Sequence, residues 1–158
     1  MENKEVIGKA LAKVASGLYV VTSKNGDDLA AFTASFLVQV SFEPPLIAVS
    51  MKKGRGSYDI INDSGVFVVN IMSKENMKLV GLFANPKTGG ADGLSTVSHI
   101  EKTLGVPVIK DSLAYLECKV YSTTEAGDHI VVLGEVVNGE LLSDLEPAVH
   151  IRKNGFSY

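Results

Sequence analysis

The sequence contains a single cysteine, no tryptophan and no apolar stretch long enough to cross a bilayer as one helix. A lone Cys118 excludes a disulfide framework within the chain and a multi-thiolate metal site. The three histidines, His99, His129 and His150, have no helical ligand spacing, so no metal constellation is legible. Positive charge is also short. Fifteen Lys and Arg against 18 Asp and Glu leave a net charge of −3, the opposite of the basic footprint that nucleic-acid binding requires. No G-x-G-x-x-G or Walker loop occurs. The start, MENKE, is polar and unlike a secretory leader. These absences predict a soluble cytoplasmic protein with neither a membrane nor a nucleic-acid partner.

What is present is enough for one core. A hydrophobic content of 46% in 158 residues predicts a single domain over 1–158. An amphipathic helix is expected over 5–15, a strand over 18–23, a turn over 24–28 and a return strand over 29–33. The runs 36–42 and 46–51 are rich in apolar and β-branched residues and flank the turn Glu43-Pro44-Pro45. Thr33, Ala34 and Ser35 precede the first run; Lys52, Lys53, Arg55 and Ser57 follow the second. Small hydroxyl residues by one strand and cations beyond the next suit a phosphorylated ligand, although Gly54-Arg55-Gly56 alone is equally a solvated turn. A short helix over 58–62 and a strand over 66–72, apolar on both faces, come next. Ser73 with Asn76 predicts the N-terminus of a helix over 74–83. The glycine-rich stretch 85–98 reads as a long loop, functional or a plain surface excursion.

Long strands are expected over 113–124 and 130–142, with Cys118 an inert core residue inside the first. His129 stands at the base of their connection. Two short strands, 147–152 and 156–158, should close the chain around Lys153-Asn154-Gly155. Many strands and few short helices argue for a small antiparallel barrel. A doubly wound α/β fold is the alternative, but the helices are too few to cover both faces of a parallel sheet. Taken alone, these residues reach a β-barrel that binds a small ligand.

Particular motifs carry the reading further. Thr33-Ala34-Ser35, then Val40-Ser41-Phe42-Glu43-Pro44-Pro45-Leu46, resembles the flavin reductase-like family of the FMN-binding split barrel, which reads T-A-S, a strand, then S-x-D/E-P-P-L. Lys53 and Ser57 continue the likeness. So do Gly65-Val66-Phe67-Val68-Val69-Asn70-Ile71, Leu82-Phe83-Ala84, Gly127-Asp128-His129 and Pro147-Ala148-Val149, in the family's order from Gly17 onward. The resemblance implies a mainly β fold, an antiparallel, Greek-key-like split barrel with a few short helices. It also implies a homodimer with FMN near the subunit interface and NADH or NADPH as electron donor. By position, Thr33, Ala34 and Ser35 would line the isoalloxazine edge, and Ser50, Met51 and Lys52 would continue that wall. Lys53 and Ser57 would hold the phosphate with Arg55 nearby. Phe83, Ala84 and Asn85, and more weakly Lys87, would touch the flavin or ribityl chain, and His129 would face the nicotinamide as the catalytic residue.

This is chemically coherent. Charge-assisted bonds from Lys or Arg hold a phosphate about twice as strongly as neutral ones. Hydride transfer through a flavin needs positioning more than a strong acid or base. The activity implied is an NAD(P)H-dependent flavin reductase. The alternative is a flavoredoxin-like carrier that passes electrons between FMN and a protein partner, expected on a separate chain. The segment 17–27, GLYVVTSKNGD, resembles flavin modules fused to rubredoxin or to flavodiiron cores. A barrel for pyridoxal phosphate or a deazaflavin is disfavoured by the TAS and SFEPPL segments.

Overall fold

The computed structural model describes residues 2–158, so Met1 of the polar start lies outside the described residues. In chain order the elements are α1 (Glu2–Leu11), β1 (Ser16–Gly17), β2 (Tyr19–Asn25), β3 (Asp28–Ala34), β4 (Leu37–Phe42), β5 (Pro45–Lys52), α2 (Gly56–Ser64), β6 (Val66–Ile71), α3 (Met77–Ala84), α4 (Gly90–Ser95), β7 (His99–Glu101), β8 (Pro107–Ile109), β9 (Ala114–Ala126), β10 (His129–Leu141) and β11 (Val149–His150). The fold is mainly β, as expected. Every strand pairing is antiparallel, which disposes of the doubly wound alternative.

The main sheet has seven strands in the order β3-β2-β6-β9-β10-β5-β4. Its two edge strands, β3 and β4, are consecutive in the chain and joined only by Ser35 and Phe36. So short a link cannot span a flat seven-stranded sheet, since neighbouring strands lie about 4.8 Å apart. The sheet must therefore roll until its edges meet, and β3 and β5 do pack together.

The period-2 alternation of each strand divides the core between the two faces of the sheet. Inside the roll, Val21, Val49, Phe67, Val69, Cys118 and Val132 are buried together. On the other face of β2, Val20 joins Leu18, Ala31, Met72, Val80, Phe83 and Leu94 beneath α3 and α4. That is why β2 is apolar on both sides; β6 is so because its Val68 packs with Val106, Val108 and Tyr115 in a third cluster. Burial pushes the Cys118 thiol up to about 12, so it is the neutral core residue expected. Backbone geometry serves the packing too. A Cβ at Gly134, opposite a bulge at Tyr121 in β9, would overlap the buried Phe67 ring.

Several boundaries differ from the sequence reading. Helix α1 stops at Leu11 rather than near residue 15, because residues 12–14 tighten into a turn and Arg152 donates to the Leu11 carbonyl (3.2 Å). Helix α3 begins at Met77, not at residue 74. The Asn76 carboxamide oxygen accepts from both the Ser73 N–H and its hydroxyl, closing a turn before the helix instead of capping it. The loop 85–98 holds α4, whose Leu94 is buried. The hairpin β7–β8 was not anticipated. Residues 156–158 form no strand: Gly155 N–H donates to Gly8 (2.9 Å), turning the chain toward α1, while β11 pairs with β1. The Glu43–Pro44 peptide in the β4–β5 turn is cis.

Candidate functional site

Where the sheet's edges meet, the chain encloses a cavity of about 250 Å3. Its elements converge from across the fold. The end of β3 and its link supply Phe32, Thr33, Ala34, Ser35 and Phe36, and the end of β5 supplies Ser50, Met51 and Lys52. Arg55 and Ser57 come from the start of α2, and Met77, Val80 and Ala84 from one face of α3 at i, i+3 and i+7. Leu18, His150 and Tyr158 complete the lining. A Ser50 N–H bond to the Phe36 carbonyl (2.9 Å) ties the link to β5.

The walls are mostly apolar, but cations reach one part of them. There, Lys52, Arg55 and Ser57 stand beside the N-terminus of α2, whose cap position is Arg55 and carries no side-chain capping bond. First-turn N–H groups without a capping side chain, the positive end of the helix dipole and two cations make that end a receptor for an anion. An aromatic cluster stands close by, with His129 the cross-strand partner of Lys52. Phe36, His129 and Tyr158 stand with ring centroids 5.4–6.0 Å apart, and the Arg152 guanidinium lies 4.9 Å over the Phe36 ring. The Asp128 carboxylate accepts from His129 Nδ1 (2.7 Å), and His129 Nε2 is hydrogen-bonded to the Tyr158 hydroxyl. The bond from His129 holds the Asp128 carboxyl below the usual carboxylate range, whereas burial raises the Tyr158 phenol. With Nδ1–H facing a carboxylate, a neutral His129 presents Nε2 as an acceptor, and the phenol O–H donates to it.

Of the residues expected from sequence, Thr33, Ala34, Ser35, Ser50, Met51, Lys52, Arg55, Ser57 and Ala84 line this cavity. Lys53, Phe83, Asn85, Lys87 and His129 are not among its lining. The Lys53 ammonium lies 3.4 Å from the Glu125 carboxylate, and the Lys53 backbone N–H donates to the Asp128 carbonyl (3.0 Å). Phe83 is buried behind α3, where its ring fills the space a Cβ on Gly93 would take. Asn85 spends its side-chain oxygen on the Lys87 N–H (2.9 Å). His129 stands behind Tyr158. Even Thr33, though in the wall, commits its hydroxyl to the Val80 carbonyl (2.7 Å) and so clamps β3 to α3. Sequence reasoning missed Leu18, Phe32, Phe36, Met77, Val80, His150 and Tyr158. The α3 set was legible as one helical face, and Phe32 alternates with Ala34; no local pattern marks His150 or Tyr158, which the topology delivers.

The family profile described as a flavin reductase like domain matches residues 11–157. The chain belongs to that family. Among curated proteins, this flavin reductase like domain is 36% identical over 152 residues to diflavin flavoprotein A 1 of Synechocystis sp., a match that covers 95% of this chain and 26% of that protein. This chain thus spans about a quarter of the length of the curated relatives it matches. Among solved structures, flavin reductase HpaC complexed with NADP+ superposes with a TM-score of 0.82 at 30% identity, covering 95% of each chain. The NADH:FAD oxidoreductase of Streptomyces globisporus C-1027 superposes with a TM-score of 0.81 at 26% identity, covering 93% of this chain and 81% of that one. Among the described residues no helix is long and apolar enough to cross a membrane, and no group of three His, Cys, Asp or Glu side chains could hold a metal ion.

Proposed function

We propose that this flavin reductase like domain binds a flavin, as FMN, in the seam cavity and acts as an NAD(P)H-dependent flavin reductase. One observation carries the reading: a single cavity joins an apolar slot for a flat ring to an end that can hold a phosphate. The fit can be judged group by group. Met51, Met77, Val80 and Ala84 offer apolar walls to a ring system, and the backbone around Ser35 and Ser50 offers polar edges. Arg55, Lys52, the Ser57 hydroxyl and the first N–H groups of α2 suit a phosphate dianion. When bound, the flavin supplies the two-electron acceptor. The protein's share is to hold the ring in one plane, exclude water from one face and leave the side toward Phe36 and His129 for a nicotinamide donor. Lys53, once a candidate for the phosphate, is better placed to order the β9–β10 end through Glu125.

A second reading has its own support. The 36% identity to a diflavin flavoprotein, of which this chain spans 26%, suits a flavin module that exchanges electrons with another protein or segment without oxidising NAD(P)H itself. A homodimer belongs to either reading. Val38, Val40 and Phe42 of β4 are exposed (59%, 50% and 88%) beside an apolar groove that includes Leu37, Leu46, Ile71 and Leu116. We assign that face to a second copy of the chain, and the cytoplasm as the compartment.

The deciding experiment is an absorbance spectrum of purified protein incubated with FMN, followed by anaerobic NADH and then NADPH. Prompt bleaching is expected, and the faster nucleotide identifies the donor. A yellow protein that stays oxidised until dithionite arrives would leave the carrier reading in its place. A protein that takes up no FMN would end both.

A further inference from the structure

Tyr158 occupies an unusual position. Its ring forms part of the cavity wall, yet the residue is 60% exposed, so it sits at the rim and not in the core. The segment leading to it is anchored upstream: Gly155 N–H donates to Gly8, and Arg152 donates to the Leu11 and Gly155 carbonyls. Beyond those anchors, the Tyr158 side chain is held by its bond to His129 Nε2 and its contact with the Phe36 ring. It can therefore swing away without loosening α1 or β11.

The geometry points to Tyr158 as a built-in occupant of the place a nicotinamide would take, an inference that rests on the donor reading above. The phenol presents a six-membered aromatic ring against Phe36 and an exocyclic O–H donor to His129 Nε2. A nicotinamide presents the same pair of features: a six-membered ring and, on its carboxamide, an N–H donor. Because Asp128 fixes Nδ1 as the protonated nitrogen, Nε2 has one acceptor site, and phenol and carboxamide cannot both use it. Nicotinamide entry then requires Tyr158 to leave, and the closed fraction of the protein lowers its apparent affinity for the dinucleotide. Tyr158 thereby sets the threshold for the donor.

The test uses flavin-loaded protein and equilibrium binding, so it does not depend on turnover. NAD+ and NADP+ are titrated by calorimetry into the natural chain, Tyr158→Ala and Tyr158→Phe. Tyr158→Ala is expected to bind the preferred dinucleotide about tenfold more tightly, with Tyr158→Phe between the two because it keeps the ring and loses the donor. In parallel, imidazole 15N NMR should place the His129 Nε2 signal of the natural chain at a shifted position that Tyr158→Phe abolishes. Equal or weaker dinucleotide binding by the variants, with flavin retained, overturns the inference and leaves the donor reading intact. If none of the three proteins binds either dinucleotide although all retain flavin, the donor reading and this inference fall together, and the flavin site alone stands. Should Tyr158→Ala fail to fold, Tyr158→Phe and the NMR signal decide the matter by themselves.

Discussion

Arg55 and Ser57 illustrate how side chains with no hydrogen-bond partner among the described residues become informative. Thr33 has its hydroxyl tied to the Val80 carbonyl and Lys53 faces Glu125, whereas Arg55 and Ser57 line the cavity at a helix N-terminus that no side chain caps. If that end holds a phosphate, removing both should weaken FMN far more than riboflavin, which has the same ring and no phosphate. Each charge-assisted bond is worth about 1.5–3 kcal/mol, so Arg55→Ala with Ser57→Ala should cost FMN at least tenfold in affinity. Riboflavin should lose less than about twofold, since only charge-assisted bonds are removed. Fluorescence titration of both ligands checks this, and a parallel loss for the two would remove the phosphate assignment.

Among the elements, the β7–β8 hairpin depends on one buried carboxylate. Glu117 on β9 is fully buried and accepts from the Thr103 and Leu104 N–H groups (3.2 and 2.7 Å) and from the Asn138 amide (2.6 Å). These bonds fasten the hairpin's connection over Val68, Val106, Val108 and Tyr115. Glu117→Gln replaces one acceptor oxygen with a donor that faces other donors, and should destabilise the fold by about 1–3 kcal/mol. Hydrogen exchange at residues 102–104 should quicken well before the central strands respond. The hairpin also marks the limit of what the chain discloses locally. Strands β2, β5, β6, β9 and β10 were legible because long alternating or wholly apolar runs leave few other placements. The three-residue strands β7 and β8 and the short helix α4 have no such run, and they exist because distant residues such as Asn70, which accepts from Ile109 N–H (2.8 Å), hold them. The cavity divides the same way. Its Thr33–Ser35 and Ser50–Ser57 portions follow from contiguous motifs, whereas Phe36, His150 and Tyr158 meet there through the fold's closure.

At the level of the whole molecule, the exposed face of β4 leaves Val38, Val40 and Phe42 in water beside an apolar groove. Large contiguous apolar patches of this kind mark interfaces. We expect light scattering to report a dimer, and Val40→Glu with Phe42→Ser to shift it to monomer with the β-rich circular dichroism spectrum retained. A monomeric natural chain would remove the self-association reading.

The link Ser35-Phe36 has a mechanical meaning as well. Among the described residues no strand ladder joins β3 to β4, so the rolled sheet is a spring with a slit, not a sealed tube. Width along the slit is set by side chains and by the backbone bond from Ser50 to Phe36. The pairings that stabilise the fold run everywhere else. The cavity can therefore widen or narrow while every ladder stays intact, placing compliance at the seam and rigidity in the rest of the wall.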